Sequence, residues 1–268
     1  MYNNCLVLGG NGYLGSSLVK HGVHRGWDIT IGTKDNFNVL KNIKWDLVIN
    51  ANGNSKKYLA TKDPGLDFKL SVESVMASLF ELKFDQYIYI SSSNVYNSPF
   101  ENNDEESDIY PLLLSQYGFH KWIAEQLVKK NASNWLILRG GGFVGPNIKK
   151  NPIYDLLTGN PLFVHPNSCF QFMSTENFAD VVFTFLERGK LPNDIYNISG
   201  RNTTKLIDII NYMGLDSSKF NTELPIETYH INTKKLEVYL AKNGRPLLDS
   251  TVVVKQFVDD VKAGRITL

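Results

Sequence analysis

Cys5-Leu6-Val7-Leu8-Gly9-Gly10-Asn11-Gly12-Tyr13-Leu14-Gly15 is the stretch whose reading decides the fold. Four apolar residues read as a buried strand. The glycines that follow read as a tight turn, and Tyr13 to about Arg25 reads as a helix with Leu14, Leu18 and Val19 on one face. Gly9, Gly12 and Gly15 stand three apart. A sharp strand-to-helix turn needs residues without a β-carbon, and so does close approach of the backbone to a pyrophosphate. The helix N-terminus then offers free N–H groups and a partial positive charge to phosphate. Gly9, Asn11, Gly12, Tyr13, Leu14 and Gly15 are therefore candidate dinucleotide-binding residues. The competing reading is a glycine turn that only packs helix on strand.

Further along, apolar runs alternate with amphipathic stretches. Asp28 to Ile31, Asp46 to Asn50, Gln86 to Ser91 and Trp135 to Leu138 read as strands; Leu66 to Lys83 and Ser115 to Lys130 read as helices. Such alternation predicts an α/β fold, a Rossmann-type doubly wound parallel sheet with helices on both faces. After Gly145-Pro146 the segments shorten, and Pro152, Pro161, Pro166 and Pro192 punctuate them. Phe178 to Arg188 reads as a helix, Ile195 to Ile198 as a short strand and Lys205 to Met213 as a helix. The expected organisation is a dinucleotide-binding domain over 1–146 and a smaller C-terminal substrate-binding lobe over 147–268, with elements returning to the main sheet.

Composition narrows the function classes. The 268 residues are 43% hydrophobic, enough for a normal core. Lys plus Arg is 28 against 27 for Asp plus Glu, which gives no support to a nucleic-acid or acidic-membrane partner. Cys5 and Cys169 are far apart and match no metal-binding spacing, so no metal site is expected, and Cys5 reads as a small buried hydrophobe. No apolar run reaches membrane-spanning length, and the first strand starts too early to leave room for a signal peptide, so a cytoplasmic location is expected by elimination.

The second strand runs into Thr33-Lys34. NAD-preferring sites usually carry an acidic residue there for the ribose 2′-hydroxyl. A hydroxyl and an ammonium suit the 2′-phosphate of NADP, and NADP(H) is expected over NAD(H). Ala51, Asn52 and Gly53 follow the third strand and are small enough to let the nicotinamide ribose lie close. Ser91-Ser92-Ser93 ends the fourth strand, where a hydroxyl can bond a substrate oxygen. Tyr117 and Lys121 are four apart in the helix that follows and so share a face. Lys121 can lower the phenol pKa and hold the ribose, and Tyr117 can then exchange a proton with the substrate.

These residues resemble the extended short-chain dehydrogenase/reductases, also described as NAD-dependent epimerase/dehydratase-like proteins. The resemblance rests on Gly9 to Gly15, on Ser91-Ser92-Ser93-Asn94-Val95-Tyr96, on Tyr117 to Lys121, on Leu138-Arg139 with Gly145-Pro146, on Phe172 to Val181 and on Tyr196-Asn197-Ile198-Ser199. It implies a catalytic set of Ser92 (four residues before Tyr96, with Ser93 second), Tyr117 and Lys121, the last two also touching the cofactor. It implies that the smaller lobe binds substrate, which in many members is a nucleotide sugar, and that subunits pair through helices of the main domain.

The chain also departs from the family's pattern. Ser71 stands where an Asn is common on the long helix before the fourth strand. Gly140-Gly141-Gly142 replaces an Asn that meets the sugar nucleotide, which is expected to loosen that loop. Phe170 takes the place of a phosphate-gripping Arg and is free to stack on a base or face an apolar group. Ser93-Asn94 replaces the Asp-Glu of dehydratases, and no Cys lies near the serines as in epimerising reductases. His120 reads as a surface or packing histidine, His165 as a loop residue, Asp104-Glu105-Glu106 as a solvated loop, and Trp122 and Phe143 as packing residues. The resulting expectation is an NADPH-dependent ketoreductase acting on a 4-keto sugar nucleotide in deoxysugar and surface-polysaccharide synthesis. A sugar-nucleotide 4-epimerase and a reductase of a small carbonyl compound stand as alternatives, with a non-catalytic NADP sensor behind them.

Overall fold

Strand β1 (Asn4–Leu8) buries four of its five residues, as a strand covered on both faces should. The computed structural model describes residues 4–98, 102–187 and 189–268. After β1 come α1 (Tyr13–His24), β2 (Asp28–Gly32), α2 (Phe37–Leu40), β3 (Lys44–Asn50), α3 (Lys57–Lys62), α4 (Pro64–Phe68), α5 (Ser74–Glu81), β4 (Lys83–Ser92), α6 (Gln116–Asn131) and β5 (Trp135–Gly140). The remainder forms β6 (Gly142–Val144), α7 (Pro152–Thr158), β7 (Cys169–Phe170), β8 (Phe172–Ser174), α8 (Thr175–Leu186), β9 (Asp194–Ile198), β10 (Thr204–Lys205), α9 (Leu206–Tyr212), α10 (Lys234–Ala241) and α11 (Ser250–Lys262). The helix expected over 178–188 is α8, displaced toward its N-terminus; Arg188 lies outside the described residues.

These elements make two compact units. One comprises Met1–Asn97, Ser107–Gly140 and Ala179–Tyr196; the other comprises Ser98–Glu106, Gly141–Phe178 and Asn197–Leu268. In the first, six strands lie in the order β2-β1-β3-β4-β5-β9, and β1 to β5 pair in parallel. This is the doubly wound Rossmann-type sheet that the sequence predicts. Strand order reverses between β1 and β3. In open sheets of this kind the crevice beyond the carboxyl ends of such strands is where ligands bind. The loops at that point are Gly9–Gly12 and Ala51–Asn54. One face of the sheet packs Leu6, Val48, Tyr87, Tyr89 and Ile137 against Val75 and Leu79 of α5 and Ala124 and Val128 of α6.

The expected single helix over 66–83 is broken into three. Asp63 caps α4 by accepting the Leu66 N–H, and Pro64 sits in the first turn, where its missing N–H costs nothing. A π-helical turn, Lys69–Glu73, then joins α4 to α5. The widened turn keeps Asp67, Ser71, Val75 and Leu79 all buried.

In the second unit, β6 pairs with β8 in parallel and β7 with β10 antiparallel, and α11 packs on β8. The glycine run does not make a loose loop. Gly140 ends β5, the Gly141 N–H donates to Ile198 O at 2.9 Å, and Gly142 is paired in β6. Buried Gln171 ties two further loops, accepting the Ile231 N–H at 2.7 Å and donating to Gly200 O at 3.3 Å. Glu105 departs from the expected solvated run: it is half-buried and accepts the Asn197 N–H at 2.7 Å, and burial raises its carboxyl pKa.

An arginine–carboxylate pair lies buried inside the first unit. Arg139 of β5 donates to both carboxylate oxygens of Glu125 of α6, at 3.0 and 2.8 Å, with both side chains almost fully buried. Removing one partner strands the other charge in the core. Arg139→Leu should therefore cost about 3–5 kcal/mol in urea unfolding, while exchanging a surface pair such as Lys44–Asp85 should leave the urea midpoint nearly unchanged.

Candidate functional site

The first turn of the fold is built for close approach. Gly9 has φ 75°, and a β-carbon there would lie 2.9 Å from Ala51 O. The chain thus brings the loops after β1 and β3 together only because position 9 has no side chain. Helix α1 begins at Tyr13 with no side-chain cap and no acidic residue in its first turn. Among the described residues, no side chain caps those N–H groups in place of an anion. Asn11 and Gly12 are exposed, Tyr13 and Leu14 half-buried and Gly15 buried.

Across the switch point, the loop after β3 is pinned by its amides. Asn50 Oδ1 accepts the Asn52 N–H at 3.0 Å, and its Nδ2 donates to the Tyr87 hydroxyl at 2.7 Å. Asn54 Nδ2 donates to Asp67 Oδ1 at 2.6 Å. Between these anchors, Ala51 and Gly53 are half-buried and Asn52 is exposed. At the end of β2, the Thr33 N–H and hydroxyl both donate to Asn36 Oδ1, at 2.8 and 3.2 Å, and Lys34 is exposed.

The three serines after β4 have separate environments. Buried Ser91 donates to Glu125 Oε1 at 2.6 Å. Ser92 Oγ accepts the Asn94 N–H at 3.2 Å and Asn94 Nδ2 at 2.9 Å, so its own proton is left to donate elsewhere. Ser93 begins a 3₁₀ turn. Helix α6 is capped by Ser115, which accepts the Gly118 N–H at 3.2 Å. Tyr117, Lys121 and Glu125 stand four apart on it and are all buried, so one stripe carries the candidate proton donor, the candidate ribose ligand and the anchor to Arg139. Gly118 makes this possible, because a β-carbon there would overlap the Asn94 carbonyl oxygen. Ser92, Tyr117 and Lys121 are thereby brought together.

Burial pushes the Tyr117 phenol up to about 12, opposed by the Ser92 hydroxyl and aided by the Asp67 charge. This runs against the expectation that Lys121 lowers it: in this dry site desolvation wins. Lys121 is 5% exposed, and its Nζ lies 5.4 Å over the Tyr89 ring and makes no hydrogen bond among the described residues. Burial lowers its pKa to about 8, with Asp67 and Glu125 pulling upward. A buried ammonium with donors to spare and an uncapped helix end behind a close glycine turn fit a dinucleotide: Gly9–Gly15 would take its phosphates and Lys121 its ribose.

His120 is not at the surface. It is 3% exposed, and its Nδ1 lies 2.6 Å from Asp67 Oδ2. Asp67, Asn54 and Glu125 were missed by the sequence reading; only the Tyr117, Lys121, Glu125 spacing could have pointed to one of them. Phe170 stacks on Tyr229 within the second unit, ring centroids 5.6 Å apart at 13°, so that aromatic already has an intramolecular partner. Phe143 packs against Phe178 at 5.3 Å, and half-buried Trp122 stacks on Phe119 at 6.2 Å, as packing residues should.

The Lys121 shift has a sign for stability. Its folded pKa, about 8, lies below the unfolded 10.5. Folding therefore pays for a buried charge in full below pH 8, and the penalty fades as pH rises to 10.5. Lys121→Met should melt higher than the parent at pH 7, by on the order of 3 kcal/mol, and thermal melts should show the gain shrinking above pH 8.

A family model described as "NAD dependent epimerase/dehydratase family" matches residues 5–199. No curated protein matches the chain in sequence. Among solved structures, a UDP-galactose 4-epimerase is 21% identical, with TM-score 0.77 over 97% of this chain and 99% of that one. The dTDP-4-dehydrorhamnose reductase from Bacillus anthracis str. Ames, in complex with NADP, is 17% identical, with TM-score 0.78 and the same coverage. The UDP-glucuronic acid 4-epimerase from Bacillus cereus, in complex with UDP-glucuronic acid and NAD, is 18% identical, with TM-score 0.76, again over 97% and 99%. At these identities the structures show a shared fold, and the family match covers most of the chain. The chain belongs to the NAD-dependent epimerase/dehydratase family, an NAD(P)-dependent enzyme family of the extended short-chain dehydrogenase/reductase type.

Proposed function

We propose that this enzyme is an NADPH-dependent ketoreductase whose substrate is a 4-keto sugar nucleotide. The observation that carries the reading is the pairing of a neutral Tyr117 phenol with a Ser92 hydroxyl whose acceptor side is already occupied by Asn94. Both groups enter the reaction as donors, which suits adding a proton to a carbonyl oxygen.

When bound, the nicotinamide supplies a hydride to the keto carbon. Ser92 and Tyr117 donate hydrogen bonds to the keto oxygen as negative charge grows on it, and Tyr117 passes its proton to the oxygen. Lys121, one helical turn along α6 from Tyr117, would hold the ribose hydroxyls, and its positive charge eases loss of the phenol proton against the desolvation that keeps that proton on. Gly9 to Gly15 would hold the pyrophosphate, Ala51, Asn52 and Gly53 would flank the ribose, and Lys34, with the Thr33 hydroxyl turned from Asn36, would receive the 2′-phosphate. The unit containing 141–178 and 197–268 binds the substrate. The nucleotide-sugar assignment draws on the family and on neighbours bound to UDP-glucuronic acid or named for dTDP-4-dehydrorhamnose. The 4-epimerase reading is favoured by neighbours that carry that name.

Calorimetric titration with NADPH and NADH, then with UDP, GDP, CDP and dTDP, separates these readings. Tight NADPH, weak NADH and binding of one nucleoside diphosphate are expected. NADPH binding without any nucleoside diphosphate would indicate a small-carbonyl reductase, and a preference for NADH would overturn the roles of Thr33 and Lys34 in favour of epimerisation. Tyr117→Phe should lower turnover by about 10²-fold or more with NADPH affinity retained; a protein indifferent to this change would be a sensor.

A further inference from the structure

The buried cluster around Asp67 is not used in the chemistry above. Asp67 is fully buried on α4, and each carboxylate oxygen is held. Oδ1 accepts Asn54 Nδ2 at 2.6 Å and the Ser71 hydroxyl at 3.4 Å, while Oδ2 meets His120 Nδ1 at 2.6 Å. On its outer side, His120 Nε2 lies 2.6 Å from the amide nitrogen of exposed Gln116. Lys121 belongs to the same neighbourhood. A β-carbon built on Gly53 would lie 3.4 Å from Lys121 Nζ and 3.8 Å from Ser71 Oγ.

The groups around Lys121 divide by charge. Tyr89 of β4 contributes its ring face, and Tyr117 of α6 is a neutral phenol. Glu125 of α6 is engaged by both Arg139 of β5 and Ser91, so that carboxylate is already balanced by a guanidinium. Asp67 is bonded to amide, hydroxyl and imidazole. The Gln116 amide nitrogen can only donate, so His120 accepts there through Nε2 and donates to Asp67 from Nδ1; Asp67 is the carboxylate of this cluster that no guanidinium balances. An ammonium this deep is retained only if a counter-charge offsets its lost hydration.

We propose that Asp67, oriented by His120, Asn54 and Ser71, is the positioning residue that keeps Lys121 charged in its dry site. The role follows from the placement of Ser71, which stands where the family commonly has an amide and here directs its hydroxyl to the Asp67 carboxylate instead. The inference rests on Lys121 acting as proposed above, but its test does not depend on turnover.

The test compares the pH dependence of unfolding stability in the full-length protein free of cofactor. Subtracting the Lys121→Met curve from the parent curve isolates the titration of Lys121, seen as a rise in relative stability. Repeating the pair in an Asp67→Asn background should move the onset of that rise down by about one pH unit or more. His120→Gln keeps a donor and the Asp67 charge, so the onset should stay within about 0.3 unit of the parent. An unmoved onset in folded Asp67→Asn overturns the proposal, and Asp67→Ser is read in the same way should Asp67→Asn fail to fold; an onset that falls in His120→Gln assigns the effect to the imidazole and overturns the proposal too. Dinucleotide titration of the parent reports separately on the functional reading. A parent that binds no dinucleotide yet shows the Asp67-dependent onset would sink the ketoreductase and leave the charge pairing standing.

Discussion

Glu125 and Arg139 meet inside the first unit as a two-pronged ion pair, and the arrangement of the candidate site hangs from it. Glu125 also accepts the Ser91 hydroxyl, and Arg139 reaches the Tyr96 hydroxyl at 3.1 Å while its guanidinium lies 4.9 Å over that ring. Four segments are thereby joined: the end of β4, the chain just after the Ser93–Val95 turn, the middle of α6 and the end of β5. A pair so buried gives little net stability, because desolvation consumes most of the attraction. What it fixes is register. Ser92 is the neighbour of Ser91, and Lys121 and Tyr117 lie one and two turns from Glu125, so a bond that sets the anchors also sets the candidate hydroxyls.

The same dryness that makes this pair specific shapes the chemistry. Burial raises the Tyr117 phenol and lowers the Lys121 ammonium, each toward its neutral form. For the phenol this suits the proposed reaction, since a protonated donor is what ketone reduction consumes. For the lysine it is a cost, which the nearby Asp67 carboxylate of α4 reduces. The stability lost to Lys121 and the role proposed for it have one physical origin, a charge held away from water.

The sheet, the glycine turn and the Tyr-Lys helix were legible because each leaves a local mark: apolar runs, glycines at fixed spacing, and two side chains one helical turn apart. The buried polar network left no such mark. Asp67 and His120 are 53 positions apart and looked like ordinary members of polar helix faces, and His120 reads as a surface or packing histidine until α4 is brought against α6. Gly118 carries no local signal, although it is the residue that lets α6 touch the turn after Ser92. The glycine run at 140–142 misled in the other direction. Glycine suggests looseness, but strand pairing by β6 and the bond to Ile198 hold it, and tertiary context overrides the propensity. The sequence motif for Thr33 and Lys34 points to their position, but the Asn36 side chain that organises the Thr33 backbone is visible only in the folded loop.

The π turn shows why a helical pattern read at constant period fails where polar and apolar demands meet. In an ideal α-helix, residues four apart drift by about 40° around the axis at each step. A series such as Asp67, Ser71, Val75 and Leu79 would then spiral off the buried side, and either the carboxylate or the leucine would face solvent. The wide turn at Lys69–Glu73 takes up part of that drift, so that Asp67 and Ser71 face Asn54 and His120 while Val75 and Leu79 still enter the core under β4. Its looser hydrogen bonding is tolerated because both sides gain: one in satisfied polar groups, the other in apolar area removed from water. Ser71 sits in the middle of it, which is how a small hydroxyl at that place comes to serve a neighbouring carboxylate.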